Sequence, residues 1–266
     1  MADLTAPPRQ KGDDYWALAR QPLHCLLFLL PLLAAYEIGV ALAIGDGATA
    51  RNGADYWMRW GLQVVGLKHP LLLPLVVVGL LSAWQLAGRF RWKPSAGTLC
   101  GMLAESALFG ACLVVLGQLQ DIVFRSQLGQ LAQGAHAGIT LAQPETVPGM
   151  LTGTMPRVIS YIGAGVYEEV LFRLCLIPVS YGLLRGLLLP RRLAMLLAVL
   201  ATSILFSAAH YVGPAADQLT LFSFLFRALA GVYFALLFVT RGFGITVGAH
   251  AAYDVIVGIL MPAFGG

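Results

Sequence analysis

Charge is what this chain has least of. Asp, Glu, Lys and Arg make up 11% of its 266 residues, where a soluble domain carries about a quarter, and this excludes an ordinary solvent-covered surface. Cysteine is scarce too. Cys25, Cys100, Cys112 and Cys175 all lie in apolar runs without C-x-x-C spacing, which argues against a disulfide framework or a thiolate metal site and marks them as small core residues. There is no phosphate-binding P-loop and no dinucleotide glycine fingerprint. A basic, aromatic-studded surface is missing as well, so the net charge of +4 implies no nucleic-acid partner.

Apolar residues fill the chain instead, at 58% of the total, with a mean hydropathy of +0.77. About 20 such residues cross a bilayer core, and runs of that kind follow one another at 22–44, 70–87, 97–124, 158–184, 193–211, 219–240 and 245–261. The expected fold is an all-α polytopic membrane bundle of about seven transmembrane helices, with room for an eighth. The first run is too long for a cleavable signal and is expected to remain as a span. Residues 45–68, with Asp55, Trp57, Arg59 and Trp60, have the aromatic and basic mixture of a helix lying at the interface.

Orientation follows from the basic residues. With residues 1–21 as a cytosolic tail, ten loop Lys and Arg fall on the cytosolic side and five fall outside: Arg51, Arg59, Lys68, Arg125 and Arg157. That bias is the positive-inside pattern, and the expected location is the cell membrane, multi-pass, with the N-terminus cytosolic. The polar break at 125–156 divides the chain into 1–150, a tail and three spans of unassigned role, and 151–266, which holds every chemical motif.

The first motif is at 166–173, Val-Tyr-Glu-Glu-Val-Leu-Phe-Arg, which places Glu168, Glu169 and Arg173 in an otherwise apolar run. On a soluble helix such a string is a solvated face, but the flanks 158–165 and 174–179 are too apolar for that. An ionisable group near the bilayer midplane costs about 2.5–3.5 kcal/mol on insertion scales, so it faces a partner or a cavity. Glu169 and Arg173, four apart with the acid first, suit an ion pair. Glu168 lies about 100° away around the helix and is free to act as a base. Later spans add His210, Arg227, His250 and Asp254. His250 and Asp254 are also four apart, so the carboxylate is expected to orient the imidazole and fix its tautomer. Glu37 reads as an inward-facing structural partner, and Glu105 lies within the third run.

These residues resemble a known family, the CAAX protease and bacteriocin-processing (CPBP, or Abi) group of glutamic-type intramembrane proteases, which includes type II CAAX prenyl endopeptidases. Its Glu-Glu-x-x-x-Arg motif matches Glu168, Glu169 and Arg173. Its Phe-x-x-x-His matches Phe206 and His210, and its His-x-x-x-Asn/Asp matches His250 and Asp254. The resemblance covers about 155–262 and implies a helical bundle around a water-filled cavity where a peptide bond of a membrane-associated protein or peptide is hydrolysed. It implies that Glu168 and His210 activate a water, that His250 and Asp254 stabilise the oxyanion, and that Glu169 and Arg173 hold the helix. No cofactor is expected.

Other readings stay open. Glu, His and Asp are also zinc ligands, which would suit a zinc-dependent membrane protease, although no His-Glu-x-x-His string occurs. A proton-coupled transporter buries the same residue types, and a non-catalytic immunity or scaffold protein would share the fold. A prenylated CAAX protein, a leader peptide or a C-terminal sorting tail would each serve as substrate.

Overall fold

The computed structural model describes residues 14–42, 51–128, 154–213 and 216–264, and all regular structure in them is helical. Most of the N-terminal tail, most of the 125–156 break and the boundary expected at 150/151 lie outside the described residues. The helices are α1 (Tyr15–Ala19), α2 (Pro22–Leu42), α3 (Gly53–Val64), α4 (Leu72–Ala87), α5 (Ala96–Leu128), α6 (Thr154–Glu169), α7 (Ile177–Gly186), α8 (Arg191–Ala209), α9 (Leu221–Arg241), α10 (Phe243–Val255) and α11 (Met261–Phe264). Wider π-helical stretches, Val170–Leu176 and Ile256–Leu260, join α6 to α7 and α10 to α11.

Five of the described helices are long and apolar enough to cross a membrane: α2, α5, α8, α9 and α10 with its continuation to Ala263. Helix α4 is apolar but shorter. The column α6–π–α7 occupies the run expected at 158–184 but is not among these five. Aliphatic side chains such as Leu80, Leu103, Leu119, Ile204 and Leu236 are exposed around the bundle, as a lipid-facing surface requires. Helix α3 starts where Asn52 accepts the Asp55 amide N–H through its side chain at 2.8 Å, an N-cap that satisfies one of the free amides of the first turn.

Helix α10 lies at the centre, packed against α5, α6, α9 and α2. Ten of its thirteen residues are buried, and small side chains at Gly248, Ala249, Ala251 and Ala252 let neighbouring backbones approach, the usual contact between helices in lipid. The crossing with α6 is tight: a Cβ on Gly165 would come within 2.8 Å of the Ala251 backbone nitrogen. A second close crossing joins α9 to α8, where a Cβ on Gly231 would lie 2.9 Å from the Ser203 Cα.

The two ends of the bundle differ in charge. At one end Gly242 packs on Arg20, Arg241 stacks over Trp16, and the Leu23 amide bonds Gln85 beside Arg89 and Arg91. The column from Thr154 to Gly186 is about 50 Å long at 1.5 Å per residue, and it ends near Arg185, Arg191 and Arg192. It starts at the opposite end, where Gly39 meets Ile159 and Arg157 bonds the Gly258 carbonyl. Helix α3 and the C-terminus of α8 lie at that second end.

Candidate active site

Two consecutive glutamates at the end of α6 point to different neighbours. Glu169 is fully buried, and its Oε2 lies 3.1 Å from Arg173 Nε, which is the expected i,i+4 pair. Arg173 is 1% exposed. It also donates to the Gly231 carbonyl at 3.2 Å and rests 4.4 Å from the Phe206 ring centroid and 5.4 Å from that of Phe234. The close α8–α9 crossing therefore brings both the carbonyl and the rings to the guanidinium. The other oxygen of Glu169 accepts from His250 Nδ1 at 2.7 Å. This departs from the sequence expectation, which gave the imidazole to Asp254. Asp254 Oδ2 stands 3.6 Å from His250 Nε2, beyond hydrogen-bond distance, so the ring is oriented by Glu169. Phe234 stacks on the same ring at 4.6 Å and 15°.

Glu168 faces the space shared by the two histidines. Its Oε2 lies 3.8 Å from His210 Nε2 and 3.8 Å from His250 Nε2, and it is buried with no hydrogen-bond partner. His210 ends α8, where its Nδ1 is 2.8 Å from the Phe206 carbonyl. A carbonyl only accepts, so Nδ1 carries the proton and Nε2 presents its lone pair when the ring is neutral. Phe206 also touches the rings of Phe172, His210 and His250 edge-on, which explains an aromatic four residues before the histidine. Thus the six ionisable residues singled out in the motifs come together: Glu168, Glu169, Arg173, His210, His250 and Asp254.

The π stretches sit directly behind this cluster. The Ile177 amide bonds the Phe172 carbonyl five residues back, and the Met261 amide bonds that of Ile256 in the same way. Each helix that supplies two or more site residues therefore widens just after or among them, a recurrent feature of functional sites.

Other ionisable residues fall outside the cluster. Arg227 pairs with Asp217 and lies over the Tyr211 ring at 5.2 Å. The Asp217 amide donates to the His210 carbonyl at 2.9 Å, so this pair braces the turn that follows His210. Glu37 binds Arg59 at 2.7 Å and accepts from the Tyr167 hydroxyl, as befits a structural partner. Glu105 pairs with Arg241 at the basic end. One residue escaped the sequence reading: Asn52 donates from Nδ2 to Glu168 Oε1 at 3.3 Å. Its cap position was visible as Asn followed by Asp three residues on, but nothing local indicated its reach to α6. Among the described residues, no three His, Cys, Asp or Glu side chains form a group placed to hold a metal ion.

Residues 151–256 match the family described as Rce1-like, type II CAAX prenyl endopeptidase Rce1-like. The match takes in Glu168 to Asp254 and leaves out α2 to α5. No curated protein and no solved structure matches the chain. The match makes 151–256 similar to that family, within a chain that has five helices long and apolar enough to cross a membrane.

Proposed function

We propose that the chain is a glutamic-type intramembrane endopeptidase in which Glu168 and His210 activate a water. The observation that carries this reading is the convergence of His210 Nε2 and His250 Nε2 on Glu168 Oε2, each at 3.8 Å. That spacing is too wide for a direct bond and suits a bridging water. A water about 2.8 Å from both Oε2 and His210 Nε2 would see them at roughly 85°, within reach of its two O–H bonds. Glu168 takes one proton as the water oxygen bonds the peptide carbonyl carbon. The same carboxyl then returns that proton to the nitrogen as the C–N bond breaks. His250, with Glu169 at Nδ1 and Asp254 beside Nε2, has the counter-charges for an imidazolium whose Nε2–H would donate to the oxyanion. The reaction as written needs no cofactor.

By the positive-inside pattern of the loop Lys and Arg, we put the N-terminus and the basic end of the bundle in the cytosol. Glu168, His210 and Asn52 then lie in the half of the bundle nearer the opposite face. On this orientation a leader or sorting tail on that face would lie nearer the cluster than a prenylated tail in the cytosol.

The test is quantitative membrane proteomics of cells expressing the wild type or Glu168→Gln. Uncleaved precursors are expected to accumulate with the variant. An identical precursor set in both cells, with Glu168→Gln present at normal abundance, would overturn the assignment.

A further inference from the structure

Helix α3 belongs to the part of the chain that the family match omits, yet it touches the centre of the cluster. Asn52 is fixed at three points. Its Oδ1 accepts the Asp55 amide at 2.8 Å, its own amide donates to the Tyr36 hydroxyl at 3.3 Å, and its Nδ2 donates to Glu168 Oε1 at 3.3 Å. The orientation of the side-chain amide is dictated rather than chosen. A backbone N–H can only donate, so the atom facing it is Oδ1, and the NH2 must face Glu168.

Behind Asn52 lies a buried ionic support. Asp55 is fully buried; it accepts from Tyr36 at 2.9 Å, from Arg51 at 2.7 Å and from Arg59 at 2.5 Å. This ties the first turn of α3 to α2 and, through Glu37 and Tyr167, to α6. The amide is thus a rigid donor, while Glu168 Oε2, on the other side of the carboxylate, has no donor of its own.

We propose that Asn52 is a positioning residue for Glu168: by holding Oε1 it sets the carboxylate plane so that Oε2 is turned to the two histidines. The N-terminal half then completes the site rather than merely enclosing it. This rests on Glu168 being the base, and the experiment keeps the two claims apart. Asn52→Ser and Asn52→Asp both preserve an N-cap acceptor. Serine is too short to reach Oε1, and aspartate removes the donor.

The substrate is a purified precursor that accumulates with Glu168→Gln, cleaved by the full-length protein in nanodiscs. Both Asn52 variants are expected to lower kcat roughly tenfold, the effect of losing one hydrogen bond to a charged group. KM should stay within about twofold and the melting temperature should match the wild type, since the cap is retained. Wild-type kcat in both variants, with Glu168→Gln inactive, would overturn the role of Asn52 and leave the base in place. A fall in kcat accompanied by an equal loss of folded protein would also overturn it, as a purely structural effect. Turnover by Glu168→Gln, or no precursor at all, would remove the reading beneath it.

Discussion

Replacing Glu169 by glutamine should be far more damaging to the fold than the same change at Glu168, although the two are neighbours in sequence. Glu169 faces a different group at each oxygen: a hydrogen bond from His250 Nδ1 at 2.7 Å on Oε1 and an ion pair with Arg173 Nε at 3.1 Å on Oε2. Glutamine offers one oxygen and one NH2, so whichever way it turns, an N–H group meets another N–H group. It also leaves Arg173, 1% exposed, without its counter-charge. Removing one partner of a buried pair costs about 3–5 kcal/mol, and at about 2–4 °C per kcal/mol for a chain of this size the melting temperature should fall by roughly 10 °C. At Glu168 the glutamine can keep Asn52 as a donor to its oxygen, and Oε2 had no partner to lose; the expected shift is within about 2 °C. Thermal unfolding in nanodiscs measures both. The double variant Glu169→Gln, Arg173→Met removes the stranded charge and should recover most of the loss, because an apolar group of similar size replaces a buried ion at little cost. Equal melting temperatures for the two single variants, or no recovery in the double, would refute this account of the pair.

Further predictions concern the helix crossing, the third motif, metal and topology. Gly165→Ala sets a Cβ within 2.8 Å of a backbone nitrogen that cannot move aside; it should cost about 1–3 kcal/mol and lower activity, read by unfolding and cleavage together. Asp254→Asn should keep measurable cleavage, because Glu169 rather than Asp254 holds the ring, whereas His250→Ala should lose at least about a hundredfold; equal losses would show that the Asp254 charge is indispensable. Precursor cleavage should survive dialysis against a strong chelator, and activity that disappears and returns only with zinc would establish the metal mechanism instead. In a cysteine-free background, Val212→Cys, near His210 and 64% exposed, should react with an impermeant maleimide on intact cells, and Trp92→Cys, 57% exposed at the basic end, only after permeabilisation; the reverse pattern would invert the orientation.

How much the sequence revealed depended on whether a feature was local. The spans were legible because a bilayer demands long apolar runs, and the Glu169–Arg173 pair because four residues on one helix bring side chains together. The same local rule misled at His250. Asp254 is four residues away and within 3.6 Å, yet the ring turns its Nδ1 to Glu169, 81 positions earlier in the chain. An i,i+4 neighbour competes with any group that a tight crossing delivers, and the Gly165–Ala251 contact delivers Glu169. Asn52 was hidden for the same reason: its cap is a local signal, but its bond to Glu168 spans 116 positions. The π stretches were out of reach because hydrophobic spacing was read at 3.6 residues per turn, and one wider turn leaves that pattern almost unchanged.

His250 explains why the motif needs two adjacent glutamates rather than one. Consecutive residues on α6 diverge by about 100°, so Glu168 and Glu169 approach a single imidazole from different sides, Glu169 at Nδ1 and Glu168 across from Nε2. The near contact at 2.7 Å fixes the ring, and the far one at 3.8 Å leaves room for a reactant. One carboxylate could not do both, since a group held at His250 Nδ1 by one oxygen and paired with Arg173 by the other is turned away from the two Nε2 atoms. Moving either acid by one position would rotate it out of its role. On the proposed mechanism the pair divides anchoring from proton transfer, and Asn52 would extend that division, because it bonds Glu168 through Oε1 and leaves Oε2 to the histidines.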